Sequence, residues 1–139
     1  MTKHEYIIEK ILSKGLNNDV YLCYVALHHN LTKDRIVTRS VNDDDTKPIS
    51  TGELVVVKVL KVPPTLDDKD SNASSTFTKL LSETKISNIC SSTNHPNIVE
   101  YLNSFITDDG NIAIVFSYCN SGDLRTYLHT LSALRKKIE

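Results

Sequence analysis

The chain has 139 residues, with 16 basic and 17 acidic side chains and a formal net charge of −1. That length allows one modest domain or part of a larger one, and the near-balanced charge argues against a nucleic-acid binder or a polybasic membrane anchor. Three scattered cysteines and five histidines make no CxxC or Cys/His cluster, the polar N-terminus is no signal peptide, and the longest apolar run, Leu54 to Leu60, is too short to span a bilayer; a soluble, cytoplasmic protein is the expectation.

In chain order, Tyr6 to Leu12 reads as a first strand. Ser13 to Asp19 is a polar turn, and Val20 to Leu27 a second strand, so the pair reads as a hairpin. Residues 28–51 break the pattern and read as a polar insertion, with Ile36-Val37 as a short strand extension inside it. Glu53 to Val62 is the strongest strand, ended by Pro63-Pro64. After a second polar insertion over 63–75, Thr76 to about Cys90 is predicted helical, with Phe77, Leu80, Leu81 and Thr84 on one stripe and Ser74 or Ser75 as N-cap. Ile98 to Ile106 and Asn111 to Tyr118 are two further strands around a turn in which Gly110 supplies a positive φ. A last helix carries Leu124, Tyr127, Leu128, Leu131 and Leu134 on one face. The order β-β-β-α-β-β, then a linker and a helix, predicts an α+β lobe with a five-stranded antiparallel sheet and one packed helix.

Lys58 is the first candidate for chemistry. Strand alternation puts it on one face with Val56 and Leu60, where a charge is costly unless used. It either snorkels from an edge or meets an anion. Glu83, in the following helix, is either that anion or a solvated helix charge.

The order of these pieces resembles the protein kinase family. Val55-Val56-Val57-Lys58 is similar to the family's V-A-I-K run, and Glu83 to the glutamate of its next helix. His95-Pro96-Asn97-Ile98-Val99 resembles the loop that follows that helix. Ile114 to Cys119, followed by Ser121-Gly122-Asp123-Leu124, resembles the fifth strand, the hinge and the first helix of the second lobe. The resemblance implies an N-terminal lobe over 1–117, a hinge over 118–122 and the first C-lobe helix over 123–139.

It also implies ATP as ligand and assigns roles. Lys58 holds the α- and β-phosphates, and Glu83 orients Lys58. Val20 and Val56 roof the adenine, with Leu12 at its edge and Phe116 as the gatekeeper. The carbonyl of Ser117 and the amide of Cys119 bond the adenine edge, and Asp123 takes the ribose hydroxyls.

Departures from the pattern qualify these expectations. The G-x-G-x-x-G loop reads Ser13-Lys14-Gly15-Leu16-Asn17-Asn18, so only Gly15 remains, and Val56 replaces the usual Ala. Neither H-R-D nor D-F-G occurs in the 139 residues, so no catalytic residue is assigned; Mg²⁺ is expected only with the missing lobe. The expected function is the ATP-binding lobe of a serine/threonine-directed protein kinase, incomplete for catalysis. The alternatives are a pseudokinase-like binding module, docking a protein through the Leu124–Leu134 face, and an inert fragment.

Overall fold

The computed structural model describes residues 3–28, 31–38, 49–62, 71–120 and 122–138. Among these, six strands and two helices follow in the order β1 (Lys3–Lys14), β2 (Asn18–His28), β3 (Arg35–Thr38), β4 (Ile49–Leu60), α1 (Ser71–Ser92), β5 (Tyr101–Ile106), β6 (Ile112–Ser117) and α2 (Leu124–Ile138). The strands form one sheet in the order β3-β1-β2-β4-β6-β5. The α+β expectation holds, with one correction. The sheet is mixed and six-stranded, because Arg35–Thr38 pairs in parallel with Glu5–Ile8 on the outer edge of β1.

The central strands are where the sequence is most β-branched. Val55, Val57 and Val59 of β4 lie on one face beside Cys23 and Val25 of β2 and Ala113 and Val115 of β6, and all seven are buried. β6 is buried on both faces, since Ile112 and Ile114 are covered from the other side with Leu60. A strand covered on both faces reads as a continuous apolar run, which is what Ile112 to Val115 is.

The sheet curls until its ends meet. Tyr6 of β1 stacks on Phe105 of β5, ring centroids 5.5 Å apart, and the amide nitrogen of Asn103 donates to the Tyr6 hydroxyl at 3.0 Å. Residues 33–35 clasp this seam. Asp34 accepts from the His4 backbone at 2.8 Å and from Asn103 at 3.0 Å. Lys33 pairs with Asp108 beyond β5, and Arg35 holds the buried Glu5 carboxylate at 2.6 Å.

Several boundaries move. β4 starts at Ile49, four residues before the expected Glu53, with Gly52 at φ 74° where the β2–β4 register slips. β1 runs on to Lys14, so the first turn is shorter than the Ser13–Asp19 segment expected. α1 begins at Ser71, which puts Ser74 and Ser75 inside the helix and removes them as N-caps. Helix α1 touches β5 and β6. The Phe77 and Leu80 side chains, Pro63-Pro64 and the Asn42–Pro48 stretch lie outside the described residues. At the β5–β6 turn Gly110 takes φ 83°, as the sequence requires.

Candidate functional site

Cross-strand register sets the site. Val20 of β2, Lys58 of β4 and Ile114 of β6 form one row across the sheet; Leu22, Val56 and Phe116 form the next. Residues directly opposite one another point to the same face, so Val20, Val56, Lys58 and Phe116 share one. Along β6, Ile112 and Ile114 are fully covered on that face, while Val20, Val56, Lys58 and Phe116 are only half-buried. The result is an apolar shelf that is half open to solvent, with one cation in it.

That cation is engaged. Lys58 Nζ donates to Glu83 Oε1 at 2.7 Å, joining β4 to α1 across 25 residues of chain. The side chains are 30% and 42% exposed, so the pair is partly solvated and its net worth is small, about 1 kcal/mol or less. Its consequence is orientation: the ammonium is held on the open face and keeps donors for a second anion.

The remaining expected residues are distributed more widely. Leu12 sits where the β1–β2 register slips, between Ile11 and Ser13, and is 43% exposed. Gly15 is in the turn after β1, its N–H donating to Asn18 O at 2.9 Å. Ser117 pairs opposite Val55 and donates its N–H to Glu100 O at 3.0 Å. With the exposed Cys119 it borders a cleft of about 550 Å³ shared with His95, Ile98 and Glu100. Asp123 caps α2: its Oδ1 accepts the Thr126 N–H at 2.7 Å, and that bond holds its carboxyl below the usual carboxylate range. The structure therefore brings Val20, Val56, Lys58, Phe116 and Glu83 together. Leu12 and Gly15 lie toward the β1–β2 turn, Ser117 and Cys119 at the end of β6, and Asp123 at the start of α2.

Sequence reasoning missed a second charged group on the turn. Asp19 is buried, and burial works against its charge. Lys61 and the Gly15 N–H outweigh that and hold the carboxyl below its usual range, with the Tyr21 hydroxyl adding to them. The available signal was the alternation in Asp19-Val20-Tyr21-Leu22-Cys23, which sends Asp19 to the core face.

The chain matches the family of protein tyrosine and serine/threonine kinases over residues 8–138, and it belongs to that family. A comparison with curated proteins returns no match. A protein kinase domain implies ATP as phosphoryl donor and a protein as acceptor. No described helix is long and apolar enough to cross a membrane.

Proposed function

We propose that this chain is the ATP-binding lobe of a serine/threonine-directed protein kinase, working in the cytoplasm. The observation that carries the reading is the Lys58–Glu83 pair at 2.7 Å on the open apolar shelf. A flat ring needs apolar walls, and Val20, Val56 and Phe116 supply them, with Leu12 at the rim. The phosphates need a fixed cation, and Lys58 is oriented for that by Glu83. The Ser117 carbonyl and the Cys119 amide read the adenine edge where the chain leaves β6, and Asp123 meets the ribose if it gives up its cap on α2. The choice of serine/threonine over tyrosine rests on the sequence resemblance alone. With neither H-R-D nor D-F-G among the 139 residues, phosphoryl transfer is not assigned to them.

Calorimetric titration with ATP and with adenosine tests the reading. The wild type is expected to bind ATP more tightly than adenosine. Lys58→Met is expected to abolish that difference with the fold intact, at a cost of about tenfold or more in ATP affinity, the worth of one charge-assisted contact. Equal binding of the two ligands by the wild type would remove the phosphate role from Lys58.

A second reading, a non-catalytic binding module, is favoured by the turn. Ser13 and Asn18 stand where phosphate loops carry glycine, and the Gly15 amide is already used within the turn. The exposed Leu124, Tyr127, Leu128, Leu131 and Leu134 face of α2 would then dock a protein. Absence of ATP binding by the folded chain would decide for it.

A further inference from the structure

Two lysines, one in β4 and one just past it, serve opposite faces of the sheet. Lys58 faces α1. Lys61, just past the strand, reaches the other way, to the turn between β1 and β2. Its Nζ donates to Gly15 O at 2.7 Å and lies 3.3 Å from Asp19 Oδ1, and its backbone N–H donates to Asn17 O at 2.9 Å. Asp19 Oδ1 also accepts from the Gly15 N–H at 3.3 Å, while Asp19 Oδ2 accepts from the Tyr21 hydroxyl at 3.3 Å. One lysine thus ties three points of the turn, at Gly15, Asn17 and Asp19, to the end of the strand that carries Lys58.

Such a latch has a physical reason here. A turn with three glycines can follow phosphate with its bare backbone; this one has a single glycine, and even there a Cβ would meet Asn18 O at 3.2 Å. Its shape must come from side chains. Asp19 is 6% exposed, where a charge is costly unless partnered, so Lys61 and Asp19 hold each other as well as the turn.

We propose that Lys61 and Asp19 are positioning residues for nucleotide binding, a clamp that fixes the 14–18 turn over the phosphates in place of the missing glycines. The inference rests on the ATP-binding reading above and adds to it a pair on the face away from the ligand. Neither residue touches nucleotide. Their effect is confined to the part of the ligand that the turn covers, the phosphates, and does not extend to the adenosine.

The test is calorimetric titration of the full chain with ATP and with adenosine. Lys61→Met is expected to lose about tenfold in ATP affinity, the scale of one lost charged hydrogen bond, with adenosine unchanged. Lys61→Arg, which can still bridge Gly15 O and Asp19, is expected to recover most of the loss. Because Lys61→Met strands a buried carboxylate and can fail to fold, the double variant Asp19→Asn/Lys61→Met removes both charges and is expected to show the same selective loss. An unchanged ratio of ATP to adenosine affinity, or an equal loss for both ligands, overturns the clamp while leaving the Lys58 role standing. A wild type that does not prefer ATP overturns the nucleotide reading itself, and the clamp with it.

Discussion

At the residue scale, the shifted ionisations of Asp19, Cys23 and Tyr6 have opposite consequences. Asp19 sits below its ordinary value of 3.8, so its share of stability is complete above that pH and drains away as acid carries the solution through the lower folded value. Acid unfolding followed by circular dichroism should show the wild type losing more stability below pH 3.8 than Asp19→Asn does. At the other end of the scale, burial pushes the Cys23 thiol up to about 12 from 9.0, and burial likewise raises the Tyr6 phenol to about 12 from 10.0. Their neutral forms are favoured in the fold, so stability is full below about pH 9 and falls as the pH rises toward 12. Thiol labelling at neutral pH should modify the exposed Cys119 first, Cys90 more slowly, and Cys23 only on unfolding. The Lys58–Glu83 pair was legible in the sequence because Lys58 interrupts an apolar run, Glu83 is the carboxylate of the following helix, and the family resemblance joins the two. Lys61 and Asp19 were not, since a lysine at a strand end and an aspartate beside a turn are ordinarily solvated; only their common face makes them partners.

At the element scale, the parallel pairing of β3 is the largest departure from expectation. Arg35 to Thr38 contain the Ile36-Val37 that reads as a short strand, but four residues inside a polar segment do not name β1 as their partner or a parallel direction. They pair along the edge that β1 offers, where Arg35 also meets the buried Glu5 carboxylate. Removing that guanidinium takes away the cation that the described residues give this buried carboxylate. Arg35→Met is expected to cost about 2 kcal/mol, less than for a wholly buried pair because Arg35 is 43% exposed, and urea denaturation measures it. β4 and β6 were legible because their valines and isoleucines fit no other role. The start of α1 was not: Ser71 to Ser75 favour caps and turns over helix interiors, so local preference pointed to a later start than the chain adopts.

At the scale of the whole molecule, two layers of apolar contact meet at β6. Ile114 is fully buried on the face shared with Lys58, backed across the strand by Val115 and Ala113. Ile114→Ala is expected to destabilise the lobe by about 3 kcal/mol through lost burial and a residual cavity, seen as a lower denaturation midpoint with an unchanged slope. The half-open face beside it is what the proposed ATP site depends on. Covering that face completely would raise stability and leave no shelf for a ring. This balance could be foreseen only in outline, since a strand pattern shows which residues share a face but not where the neighbouring helix stops.

The clasped seam also sets a timetable. Asn103 bonds Tyr6 across 97 residues of chain and Asp34 across 69. Chain synthesised from its N-terminus therefore finishes β1 long before the ring that stacks on it and the amide that bonds it exist. Until residues near 103 emerge, Tyr6 lacks Phe105, and Asp34 lacks the Asn103 amide. Contacts so far apart in sequence are slow to form, because the loop between them must be closed first. The β1–β2 hairpin can assemble early and wait, whereas the curl of the sheet cannot close until β5 is complete.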